Sequence, residues 1–99
     1  MVYEVLETSH ITAIRESIEP IEQEWVSKII LQLKINPYTG KPLGTNWFRE
    51  KKFEGKRLYY LIFEQKQKVL LVAYGDKKEQ SDIIAEVHNS MDRLKKMVE

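Results

Sequence analysis

The segment NWFREKKFEGKRLYYLIF, residues 46–63, constrains this chain more than any other stretch. Two arms rich in aromatic and aliphatic residues meet at Glu54-Gly55, which marks a β-hairpin. The same arms carry Arg49, Lys51, Lys52, Lys56 and Arg57. Loop length decides which face of a sheet those cations occupy. A two-residue loop sets Phe53 opposite Lys56 and Lys51 opposite Leu58, mixing Arg49 and Lys51 with Leu58, Tyr60 and Ile62. A three-residue loop with Gly55 in the left-handed position sets Lys51 opposite Arg57 and Arg49 opposite Tyr59. Phe48, Leu58, Tyr60 and Ile62 then share a face that can pack on helices, while Arg49, Lys51, Arg57 and Tyr59 share the other. A one-residue slip moves every side chain across the sheet, so a core on one side selects the second register. That register carries a like-charge pair, Lys51 across from Arg57, costing about a few tenths of a kcal/mol. Phosphates of a polyanion would offset it; so would Glu50, Glu54, Glu64 or acids from a helix.

The remaining elements follow from periodicity. VYEVLE (2–7) alternates as a short strand. Thr8 or Ser9 caps a helix carrying Ile11, Ile14 and Ile18 on one stripe. Pro20 suits the first turn of a second helix, in which Ile21, Trp25, Ile29 and Leu33 recur every four residues to about Lys34. NPYTGKPLG (36–44) holds two of the three prolines and two of the four glycines, and reads as a loop. Strands are expected over 47–52, 57–63 and 69–74. From about Glu79, Ile83, Val87, Met91, Leu94 and Val98 predict one long amphipathic helix. The fold class is α+β: an N-terminal strand and helix pair packed on a small antiparallel meander, with a C-terminal amphipathic helix.

A chain of 99 residues has the length of one domain, taken as 1–99, with a modest core. No apolar run approaches the roughly 20 residues of a membrane helix, and the N-terminus lacks a signal-peptide pattern. Without cysteine there is no disulfide framework and no thiolate metal site. A cytoplasmic protein without membrane contact is expected. The overall charge of +1 conceals an asymmetry: residues 1–35 carry three basic and six acidic groups, residues 36–60 six basic and two acidic. Such a distribution implies one electropositive face. No carboxylate cluster or His pair has metal-ligand spacing, so neither a metal nor another cofactor is expected.

GKRLYYLIF and VLLVAYGDKKE, with NPYTGKPLG before them, resemble the corresponding strands of RelE/ParE-type toxins in order and spacing. In the RelE branch that resemblance implies ribosome-dependent cleavage of mRNA without metal. The ribose 2′-hydroxyl attacks the adjacent phosphodiester, and fixed cations stabilise the charge that develops. It matches Arg49, Lys51, Arg57 and Lys77 to the family's cations; Arg57, Lys51 and Lys77 are expected to be catalytic, and Arg49, with Lys52 and Tyr59 of the same hairpin, to contact RNA. The partners implied are a small cognate antitoxin and mRNA on the ribosome, with a homodimer or a heterotetramer with antitoxin as candidate assemblies.

One departure bears on the chemistry. Several RelE-branch enzymes carry a tyrosine or another acid–base group shortly after the last basic residue. Here that stretch reads KKEQSDIIAEV, with Ile83 near the corresponding place. Tyr59, Tyr74 and His88 are candidate substitutes, His88 having an intrinsic pKa suited to proton transfer. A ParE-like, non-catalytic inhibitor of DNA gyrase is the alternative. A solitary member that only binds protein or RNA is another. The final helical stripe serves either as core or as a groove for a partner's helix.

Overall fold

The computed structural model describes residues 2–99; Met1, where the expected 1–99 domain begins, lies outside them. The order is β1 (Glu4–Glu7), α1 (Ser9–Ser17), α2 (Pro20–Ile35), β2 (Lys41–Pro42), β3 (Phe48–Phe53), β4 (Lys56–Phe63), β5 (Lys68–Asp76), α3 (Gln80–Asn89) and α4 (Met91–Lys96). The α+β class stands, with one addition to the meander: β1 runs parallel to β5. The sheet is ordered β1-β5-β4-β3-β2, so β4 is central.

Local chemistry sets the helix boundaries. The Thr8 hydroxyl accepts from the Ile11 amide at 3.2 Å and starts α1. Glu19 and Glu22 form a reciprocal capping box around Pro20, which opens α2 where its missing N–H costs nothing. The single long C-terminal helix expected from the sequence is divided instead. A 3-10 turn, Lys77–Glu79, leads into α3, and Ser90 separates α3 from α4. Val87, Leu94 and Val98 are nevertheless buried, and Ile83 and Met91 pack beside them.

Helices cover both faces of the sheet. Leu58, Tyr60, Ile62, Val69 and Leu71 pack against Ile11, Val26, Ile29 and Leu33 of α1 and α2. On the other side Phe48, Tyr59, Leu61, Leu70 and Val72 meet Val87, Leu94 and Val98. The register shifts beside Tyr59 and Tyr60, where Ala73 and then Leu71 are their partners on β5, so Val72 is the extra residue of a bulge.

This two-sided burial overturns the expected hairpin register. The loop has two residues: Phe53 pairs with Lys56, Lys52 with Arg57, Lys51 with Leu58, and Arg49 with Tyr60. β4 from Arg57 to Ile62 and the first half of β3 are packed on both sides, so no solvent face forces the slip. Glu54, at φ 53°, takes the left-handed position that was expected of Gly55. The like-charge Lys51–Arg57 pair does not form. Arg49 and Lys51 lie on the α2 side of the sheet and Arg57 on the α3 side.

Candidate functional site

Three of the six expected site residues project from the α3 side of β3 and β4. Arg57 stands between Lys52 on β3 and Gly75 on β5, and Tyr59 between Glu50 and Ala73. Directly paired residues share a face, so Lys52, Arg57 and Tyr59 lie together. Lys77 follows β5 at once, exposed in the turn that leads into α3.

Sequence reasoning offered Glu50 only as one of several acids that could neutralise the cations, and missed Glu79. Glu50 is a diagonal neighbour of Arg57, and its Oε2 lies 3.4 Å from the Arg57 Nε. The same oxygen accepts from the Gln80 side-chain amide at 2.7 Å. Glu50 is 3% exposed and Arg57 8%, so the ion pair is enclosed. Glu79 adds a second, exposed carboxylate, whose Oε2 rests over Gly75, 2.7 Å from where a Cβ there would stand. The signal was present in the alternation Arg49-Glu50-Lys51, which puts Glu50 on the face opposite its two basic neighbours.

The Tyr59 ring is fully buried, and neither its hydroxyl, which Gln80 approaches, nor the Arg57 Nε has a hydrogen-bond partner of good geometry among the described residues. Burial pushes the Tyr59 hydroxyl above its ordinary pKa, the Glu50 charge pushes it further, and Arg57 opposes. Tyr59 is therefore a neutral donor near neutrality and not a base. The chemical repertoire is a rigid guanidinium, a buried carboxylate beside it, and exposed Lys52 and Lys77 at the rim.

The other expected groups lie elsewhere. Arg49 is 8% exposed and holds the loop before β3. Its Nη1 donates to the Gly40 carbonyl at 2.7 Å and the Tyr38 carbonyl at 3.0 Å, its Nε to the Asn46 carbonyl at 2.9 Å, and its Nη2 to the Asn46 side chain. The guanidinium also lies 5.2 Å from the Tyr38 ring centroid. Lys51 donates to the Gln32 side chain of α2 at 3.3 Å, and burial lowers its pKa. Tyr74 is also on the α2 side, where its hydroxyl donates to Glu22 at 2.7 Å. His88 sits at the end of α3, edge-on to Trp47 and Phe48 at 6.0 and 5.9 Å. Phe48 is four residues from Lys52 along β3, about 13 Å away.

No family profile matches the chain, and no curated protein does. Solved structures do. A double mutant of the Escherichia coli toxin RelE in the free state superposes with a TM-score of 0.75 at 18% identity, covering 90% of this chain and 97% of that one. The same mutant toxin in complex with a peptide of the antitoxin RelB gives 0.69 at 20% identity, covering 88% and 95%. The toxin–antitoxin complex RelBE2 of Mycobacterium tuberculosis gives 0.67 at 20% identity, covering 78% and 100%. The strand order, the two helical layers and the position of Arg57 on the central strand thus belong to a chain with the fold of the RelE toxins.

Proposed function

We propose that this chain is the toxin of a toxin–antitoxin pair, held in the cytoplasm by a small antitoxin and acting on mRNA at the ribosome as a metal-independent endoribonuclease. What carries the reading is Arg57, fixed on the central strand of a RelE fold beside a carboxylate that can take a proton. In the reaction the ribose 2′-oxygen bonds to the adjacent phosphorus and the bond from phosphorus to the 5′-oxygen breaks. Glu50 accepts the 2′-hydroxyl proton, Arg57 faces the nonbridging oxygens, and water protonates the leaving 5′-oxygen beside Lys77. Lys52 binds the flanking backbone, and Tyr59 helps support the buried pair. Arg49 and Lys51 act through the fold, as anchors of the loop and of α2. The site is closed by Gln80, so cleavage requires the first turn of α3 to move.

A second reading keeps the fold and drops the chemistry: a protein that binds its target without cutting RNA, DNA gyrase being the ParE-like case. The neutralised Glu50–Arg57 pair favours it, since a guanidinium already matched by a buried acid attracts phosphate weakly. Induction of the chain alone in a bacterial host, with mapping of mRNA ends, separates the two. The first reading expects growth arrest with cut mRNA, and at least about a hundredfold loss of cutting in Glu50→Gln and in Arg57→Lys. Arrest with intact mRNA and altered DNA supercoiling supports the gyrase reading. Robust growth overturns the toxin reading.

A further inference from the structure

The side of α2 turned away from the sheet is not polar. Ile21 is 65% exposed, Leu31 62% and Ile35 76%. At about 100° per residue, Ile21, Glu24, Lys28, Leu31 and Ile35 fall within an arc of about 80°, on the far side of the helix from Val26, Ile29 and Leu33. Val2, also exposed, lies near the C-terminal end of α2, where the Tyr3 amide donates to the Lys34 carbonyl at 2.8 Å. Glu24 and Lys28 are both exposed, and neither has an ion-pair partner among the described residues.

We infer that this face is a homodimer interface in which α2 packs antiparallel against α2 of a second copy, about a two-fold axis at Val26. The order of the stripe carries the inference. In that register Ile21 lies opposite Leu31 of the second copy, and Glu24 lies opposite its Lys28. The two-fold repeats both contacts, giving two apolar pairs flanking two ion pairs. Ile35 and Val2 extend the apolar surface over the start of the other α2. The competing register, with Ile21 opposite Ile35, stacks Lys28 on Lys28 and pairs no opposite charges. The chain itself carries, in reverse, the spacing of apolar, acidic, basic and apolar residues that complements this surface. A 16-residue helix is about 24 Å long, so the contact falls below the roughly 800 Å² per partner of a standard stable interface. The association is accordingly weak. It leaves the Arg57 face uncovered, since α2 and α3 pack on opposite sides of the sheet.

Sedimentation equilibrium of the full chain, made by cell-free synthesis, tests the surface with charge exchange. The wild type should show reversible dimers at the highest concentrations. Glu24→Lys and Lys28→Glu should each weaken dimerisation at least about tenfold, because each creates two like-charge contacts. The double exchange should return the constant to within about threefold of wild type. Leu31→Lys should be monomeric. All three positions face solvent in the monomer, and thermal melts check that the variants fold. A wild type that stays monomeric throughout overturns the inference. Single exchanges that dimerise like wild type overturn it, as does a folded double exchange that fails to regain dimerisation.

Discussion

The Gln80 side-chain amide donates to the Glu50 carboxylate across 2.7 Å, joining the first residue of α3 to the sheet beside Arg57. It is the contact that closes the site. Gln80→Ala should destabilise the fold by about 1.5–3 kcal/mol, the usual loss for a hydrogen bond to a buried charged group. Amide exchange in the first turn of α3 should rise more than in α4. Equal rises in both would show that the contact does not act as a latch.

Glu50 and Arg57 should show strong coupling. Glu50→Leu or Arg57→Met alone leaves one buried charge unmatched and should cost about 3–5 kcal/mol. The double variant should recover to within about 2 kcal/mol of wild type in urea melts while remaining inactive on RNA. Additive losses in the double variant would mean that the pair is not a unit.

The loop before β3 depends on Tyr60. Its buried hydroxyl accepts from the Gly40 amide at 3.0 Å and donates to the Pro37 carbonyl at 2.6 Å. Tyr60→Phe should cost about 1–3 kcal/mol. Gly40→Ala should cost about as much by crowding, since its Cβ would stand 2.6 Å from the Glu50 carbonyl. Melting temperatures should drop by several degrees in each case.

Glu54 at φ 53° occupies a conformation that suits asparagine or glycine. Glu54→Gly puts the residue that tolerates positive φ at the first central position of the turn and should stabilise by about 0.5–1 kcal/mol. A lower melting temperature would refute the turn assignment.

Alkaline pH should unfold the protein steeply. Tyr38, Tyr59, Tyr60 and Tyr74 are all raised above their ordinary 10.0, burial being the first cause in each. Above pH 10 the unfolded chain releases these protons first, so their contribution is intact below pH 10 and is lost as pH rises through the folded values. Lys51 works in the opposite sense: its folded pKa is lowered from 10.5, so stability rises with pH between that folded value and 10.5. Four groups outweigh one. Denaturant titrations should show stability falling above pH 10, with a smaller decline in Tyr59→Phe and Tyr60→Phe.

Element order and class were legible because the hairpin, Pro20 and the loop at 36–44 are local signals. Faces were harder to read. Ile21, Trp25, Ile29 and Leu33 suggested one buried stripe, yet steps of four residues advance about 40° each on a helix. Ile21 has rotated out of the core by that drift, and Val26 takes its place. The hairpin register failed for a related reason. Alternation gives the core direction only when one face is wet, and β4 is buried on both sides from Arg57 to Ile62. Of the expected site residues, Arg57, Lys52 and Tyr59 came together with Lys77 at the edge. Glu50 was one of several candidate counter-charges, and Glu79 and Gln80 were not seen at all, because their relation to Arg57 depends on the register and on where α3 begins.

The parallel pairing of β1 with β5 has a consequence for synthesis on the ribosome. Glu4 is paired with Lys68, so the first strand to emerge waits for nearly the last. At about 5–20 residues per second, that interval is roughly 3–13 seconds. During it α1 and α2 have no sheet to cover, and their apolar sides are open to chaperones. A nascent chain released before β5 emerges has no partner for β1 and none for the inner edge of β4. Premature termination therefore yields an unfolded fragment, and the complete sheet can form only close to the end of translation.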